Sequence, residues 1–202
     1  MTRTRRLRLR LLIVGVGGQG VLTVARALGD AALRSGLEVA VGQLHGMAQR
    51  GGSVEASVVI GTGVESSFVE RADVVLGFEP LEVLRALPRL TETTHVVFNH
   101  GRVVPFPLSM QGLSYPDVGG ILDRVRSVTP RVTEVDGPAL LHQLGDTRPL
   151  NMLMLGVLTR RGGALPFDAR MVRGSLERLA GSQRRLELNL RAFDLGRQEP
   201  SG

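Results

Sequence analysis

Leu12-Ile13-Val14-Gly15-Val16-Gly17-Gly18-Gln19-Gly20-Val21-Leu22 is the stretch whose reading decides the fold. The residues leading into it, from Leu7 to Val14, are strand-like and end in the β-branched pair Ile13-Val14. Gly15-Val16-Gly17-Gly18-Gln19-Gly20 then breaks the strand with a glycine-rich turn. Beyond it Val21, Leu22, Ala25, Leu28, Ala31 and Ala32 recur at helical spacing until Ser35-Gly36 closes the run. Glu38 to Leu44 reads as a second strand. A strand, a tight turn, a helix and a strand predict a right-handed crossover and a parallel pair.

Outward from this unit, the pattern repeats. A glycine-rich loop, His45 to Gly52, leads into Ser53–Ile60, which alternates as a strand does. Gly61 to Gly63 makes a turn, Asp73 to Gly77 is a short apolar strand, and Pro80 to Leu87 is a helix with proline in its first turn. His95 to Asn99 gives another buried strand. Arg102 to Pro116 holds three prolines (Pro105, Pro107, Pro116) and reads as an irregular or hairpin excursion. A helix from Tyr115-Pro116-Asp117 to Arg126, a strand at Val132–Val135 and a helix at Pro138–Leu144 follow. The last fifty residues are helical: Leu150–Arg161, a helix opened by Pro166-Phe167-Asp168 and running toward Ala180, and Gln183–Leu195. This alternation predicts an α/β fold, a doubly wound, mostly parallel Rossmann-like sheet with a helical C-terminal region. It divides the chain into a basic extension (1–9), a single domain (10–196, C-terminal helices from about residue 150) and a tail (197–202).

Composition narrows the chemistry. A chain of 202 residues with 43% hydrophobic content can bury one core, built from Leu, Val and Ala because aromatics reach only 3%. The absence of cysteine removes disulfides, thiol nucleophiles and cysteine-ligated iron–sulfur clusters together, and fits a reducing compartment. The net charge of +6 comes from 25 basic residues, every one of them Arg. Arg3, Arg5, Arg6, Arg8 and Arg10 crowd the N-terminus; they read as a solvated extension rather than a phosphate-gripping arm, and no nucleic-acid role is expected. Leu11–Val14 is halted at once by Gly15, too short for a signal core or a membrane span. A soluble cytoplasmic protein is expected.

Two motifs carry chemistry. Gly15, Gly17, Gly18, Gln19 and Gly20 stand where backbone N–H groups and a helix N-terminus can meet a phosphate. A dinucleotide site also requires Asp or Glu at the end of the second strand; here that strand ends Val41-Gly42-Gln43-Leu44-His45, which argues against NAD. The residues alone leave open a tight packing turn and an anion site. The second motif, His45-Gly46-Met47-Ala48-Gln49-Arg50-Gly51-Gly52, sets a planar guanidinium and a polarisable thioether among glycines that tolerate close approach. His45, His95, His100 and His142 are too scattered for a metal site. His100 beyond Asn99 reads as packed or capping, Glu79 as a helix-end carboxylate, Asp73 as a cap, and Leu150, Met152 and Met154 as core or subunit interface.

Together the two motifs, in this order and at this interval, resemble the gamma-type domain of the pyruvate, 2-oxoglutarate and indolepyruvate ferredoxin oxidoreductases, with the indolepyruvate branch nearest. Asn189-Leu190-Arg191-Ala192-Phe193-Asp194-Leu195-Gly196 is similar to that family's C-terminus, so the likeness runs from residue 10 to 196. Ala48 stands where serine is common. The resemblance implies a small, non-catalytic subunit of an oligomeric enzyme that converts a 2-oxoacid, coenzyme A and oxidised ferredoxin to acyl-CoA, carbon dioxide and reduced ferredoxin. It implies thiamine diphosphate, Mg and Fe-S clusters on a partner subunit, and none bound tightly here. It also makes His45, Met47, Gln49, Arg50, Gly51 and Gly52 the partner interface and sets coenzyme A phosphates near Gly15–Gly20. From a different class, a free-standing nucleotide-binding regulatory module shares the glycine turn and gives no reason for the second loop.

Overall fold

The computed structural model describes residues 8–45, 52–104, 114–160 and 165–198. Six strands form one sheet: β1 (Arg8–Val16), β2 (Glu38–His45), β3 (Ser53–Gly61), β4 (Val74–Gly77), β5 (His95–Asn99) and β6 (Val132–Val135), in the order β2-β3-β1-β4-β5-β6. Pairing is parallel from β1 through β4 and β5 to β6 and antiparallel on either side of β3. Five strands thus share one direction, and the mostly parallel sheet expected from the alternation is present.

The expected parallel pair of β1 with β2 is not. β3 lies between them, antiparallel to both, and β2 forms the sheet's edge. The crossover through α1 (Val21–Arg34) still leaves β1 and β2 pointing the same way. The physical reason is local: Ser53 follows β2 after a short loop, so β3 folds back on β2 as a hairpin partner and takes the ladder beside β1.

Both faces of the sheet are covered. Alternation along β1 sends Leu11 and Ile13 into a core with α1, α4 (Gly137–Leu144), α5 (Leu150–Arg160), α6 (Ala169–Leu179) and α7 (Gln183–Gln198). Leu12 and Val14 point into a second core with α2 (Pro80–Arg85) and α3 (Val118–Arg126). A 3-10 turn, Leu87–Arg89, closes α2, which is shorter than the sequence predicts. Helix starts follow side-chain caps: Glu79, Asp117, Asp136 and Asp168 accept from amides of the first turn of α2, α3, α4 and α6. No helix among the described residues is long and apolar enough to cross a membrane.

α5 is apolar nearly all round, with Met152 and Met154 buried as expected of core residues. It crosses α7 with almost no space between backbones. A methyl group on Gly156 would run into the carbonyl of Phe193, and one on Gly196 into that of Leu153. Backbone has no flexible end to yield. Gly156→Ala is therefore expected to destabilise the chain by about 2–3 kcal/mol, read from denaturant unfolding.

At the C-terminal edge of the parallel strands, Asn99 is 1% exposed and fully engaged. Its Nδ2 donates to the carbonyls of Phe78 (2.8 Å) and Gly101 (3.2 Å), and its Oδ1 accepts from Gly137 N–H at 3.2 Å. One amide thus ties the ends of β4, β5 and β6 together. Asn99→Ala would strand buried polar groups and is expected to cost about 2–4 kcal/mol, measured by the same unfolding curve.

Candidate functional site

The glycine turn sits at the C-terminal end of β1, where open α/β sheets place ligands. Gln19 does not point outward. Its Oε1 accepts from Val16 N–H at 2.8 Å and its Nε2 donates to Phe78 carbonyl at 3.2 Å, while its own N–H bonds Val16 carbonyl at 3.1 Å. It locks the turn to the end of β4. Gly15 lies against that side chain, with Gln19 Oε1 only 2.7 Å from where a Cβ would stand. Gly20, at φ 79°, caps α1 with no side-chain bond and abuts Asn151. Gly18 differs from both. At φ 99° it faces open space, with no heavy atom within 4 Å of a Cβ position. Of the five turn residues, Gly18 and Gly20 line the groove described below, beside the free amides of the first turn of α1.

The two motifs meet. Gly17 N–H donates to Gly52 carbonyl at 2.9 Å, and Val16 pairs with Ser53 in the β1–β3 ladder. Met47, Gln49, Arg50 and Gly51 lie outside the described residues, as does the side chain of His45. The loop's two roots, β2 and Gly52-Ser53, are described and flank the turn.

Beneath the second root lies a pair of buried acids that sequence reading undervalued. Glu82 is 3% exposed and accepts from the Ser53 hydroxyl and from Arg85. Burial pushes its carboxyl above the usual range, against the pull of Ser53 and Arg85. Glu79, wholly buried, accepts from Tyr115 hydroxyl, from Val103 N–H at 3.3 Å and from Glu82 N–H at 3.2 Å. Burial and then the neighbouring Glu79 carboxylate push the Tyr115 phenol up. Glu79 is a helix-end carboxylate as read, and it also pins both sides of the 104–114 excursion. The chain's single tyrosine was the available signal, since a lone buried phenol needs a partner.

His100, expected to be packed or capping, is engaged, and so is His95. His100 stacks edge-on with Phe98 at 5.5 Å and bonds Glu134, and His95 Nε2 bonds Thr133 hydroxyl at 2.9 Å. Asp73 accepts from Arg10 N–H at 2.8 Å.

An open groove of about 1010 Å³ runs from Gly18 and Gly20 between the α4–α5 and α6–α7 connections. Leu144, Met152, Leu176 and Leu188 supply an apolar floor. Arg26, Arg148, Arg184, Arg185 and Arg191 line it against only Asp146 and Glu187. Arg148 is already spent on Asp146, which it holds down to about 2. The remaining guanidiniums leave a positive rim, suited to an anionic ligand with an apolar body. Sequence reading quoted only Arg191 of these, within the C-terminal motif, because it takes the fold to bring α1, the α4–α5 connection and α7 together.

The chain is similar to known proteins over nearly its whole length. The family model described as pyruvate ferredoxin/flavodoxin oxidoreductase matches residues 10–199. Indolepyruvate oxidoreductase subunit IorB of Archaeoglobus fulgidus is 35% identical over 192 residues, covering 94% of each chain. Among solved structures, pyruvate oxidoreductase subunit PORC of Thermotoga maritima superposes with a TM-score of 0.69 at 24% identity, covering 95% of this chain and 96% of that one. The 2-oxoglutarate:ferredoxin oxidoreductase of Magnetococcus marinus, solved with 2-oxoglutarate, coenzyme A and succinyl-CoA, gives 0.74 at 18% identity; the match covers 96% of this chain but 32% of that one. Full-length coverage by the model and by a relative above 30% identity makes this chain a member of the pyruvate ferredoxin/flavodoxin oxidoreductase family.

Proposed function

We propose that this chain is the small, non-catalytic subunit of a cytoplasmic 2-oxoacid:ferredoxin oxidoreductase whose substrate is an aryl 2-oxoacid such as indolepyruvate. The observation that carries the reading is the bond from Gly17 to Gly52, which joins the glycine turn to the root of the arginine loop. A free-standing nucleotide module has no use for that junction, and the relatives matched over their whole length are named as subunits.

The division of labour follows from chemistry. Decarboxylating a 2-oxoacid requires a carbanion-stabilising cofactor, and thiamine diphosphate with Mg supplies it in this family. The Gly-Asp-Gly signature that would hold that cofactor does not occur in this sequence. Electron transfer to ferredoxin uses iron–sulfur clusters, and a cysteine-free chain offers no thiolates to ligate them. These residues do not fit either group, so both belong to a larger partner subunit. Left to this chain are shape, backbone donors and guanidiniums. Met47, Gln49 and Arg50 would brace the partner, with the loop held at its base by Gly52 and by Ser53 on Glu82. Gly18, the first-turn amides of α1 and the arginine-rimmed groove suit the phosphates of coenzyme A. The glycine loops allow such an approach without steric cost.

Co-production with the larger subunit tests this reading. Indolepyruvate-dependent dye reduction is expected only when both chains are present, and equal turnover without this chain would overturn the assignment. Arg50→Ala is expected to lower assembly or turnover by roughly tenfold or more, scored by co-purification and by rate. A variant that assembles and turns over like the parent would remove the loop from the interface.

A further inference from the structure

The sheet has one long unpaired edge. β2 pairs only with β3 among the described residues, so alternate residues of an eight-residue strand direct their N–H and C=O groups away from the ladder. Proteins normally blunt such an edge with charge, proline or a bulge. Here none of these is found between residues 39 and 44. The register with β3 is unbroken from Glu38 opposite Gly61 to His45 opposite Val54. Of the 25 arginines, none falls between Arg34 and Arg50. Glu38, the strand's only acid, is exposed at its first position, where it accepts from Val64 N–H at 2.7 Å.

Apolar side chains flank the edge on both faces. Val41, 45% exposed, leans on Gly29 of α1 on one face. On the other, Ser67 packs over Gly42; its neighbour Phe68 is 73% exposed, and Leu44, further along the strand, is 62% exposed. An uncharged edge bordered by exposed apolar groups is built to be covered.

We propose that the outer edge of β2 receives an extended segment of the larger, catalytic subunit as a seventh strand of this sheet, with Leu44 and Phe68 packing on apolar side chains of that segment. This rests on the subunit reading above. Two observations choose the occupant. β2 leads in sequence directly into the Met47–Gly52 stretch for which the same partner is proposed above. In the Magnetococcus enzyme the equivalent of this chain is about a third of a longer polypeptide, whereas here it matches a separate subunit end to end. On that subunit reading the partner is held through the surface, and main-chain ladder bonds supply affinity without demanding a particular sequence. A second copy of this chain is the poorer occupant, because each carries a charge of +6.

Amide hydrogen–deuterium exchange decides the matter, comparing the full chain alone with its complex with the larger subunit. Amides of 38–45 are expected to exchange about tenfold more slowly or better in the complex. The double variant Leu44→Arg/Phe68→Arg is expected to raise the dissociation constant roughly tenfold or more with an unchanged thermal midpoint, since both side chains are exposed before substitution. A complex that forms normally with β2 unprotected, or that the double variant leaves as tight, overturns the edge proposal and leaves the subunit reading standing. Failure of the parent chain to bind the larger subunit at all overturns both. Protection of β2 in the chain alone, with a doubled mass abolished by the double variant, assigns the edge to a second copy and also overturns it.

Discussion

The carbonyl oxygen of Phe78 receives two side-chain amides, from Gln19 after β1 and from Asn99 at the end of β5. Because Asn99 also holds Gly137 N–H at the start of α4, four chain segments that share no sequence neighbourhood end at one point. Parallel strands leave their C-terminal ends without a hairpin to join them, and here two side-chain amides do that work. The glycine turn, the mouth of the groove and the first turn of α4 inherit their positions from this junction. Its members are neutral, so it carries no charge of its own into the site.

Around that rigid centre the chemistry is divided by charge. Toward β2 and Ser53 lie the buried carboxylates of Glu79 and Glu82, each held by hydroxyl or amide donors. Toward α6 and α7 lies the arginine-rimmed groove. A chain whose only base type is arginine holds a planar, permanently charged donor at every such position. The same bias makes the arginine-free stretch through β2 conspicuous, and that stretch adjoins the loop which joins the two motifs. The arginine-rimmed groove and the Gly52 root of the second motif thus both lie at one glycine turn.

Much of the fold was legible because period reports burial. β1 alternates Leu11 and Ile13 against Leu12 and Val14, and α1 spaces its alanines at helical intervals, so both were readable without long-range information. Capping carboxylates marked the starts of α3 and α6 in the same way. The insertion of β3 between β1 and β2 was not readable, since alternation states which face of a strand is buried and not which strand lies beside it. Asn99 looked like a strand-end candidate for a ligand site; its amide turned out to be consumed by three backbone groups. Glu79 and Glu82 were the opposite case, acids whose type argues for solvent and whose burial depends on partners 24 or more residues distant.

The sequence by itself determined the strand–glycine turn–helix unit, the helical C-terminal third, the lack of thiolates for redox clusters and the pairing of two motifs that marks the family. These are properties of local period, residue inventory and spacing, and they do not depend on how the chain closes. Tertiary structure alone decided that Gln19 faces inward, that Gly18 is the turn residue with open space before it, and that arginines from α1, the α4–α5 connection and α7 share one groove. It also left β2 at the edge. Each of those outcomes is a contact between segments far apart in the chain, and such contacts are selected by packing and hydrogen-bond satisfaction over the whole fold, which no window of sequence contains.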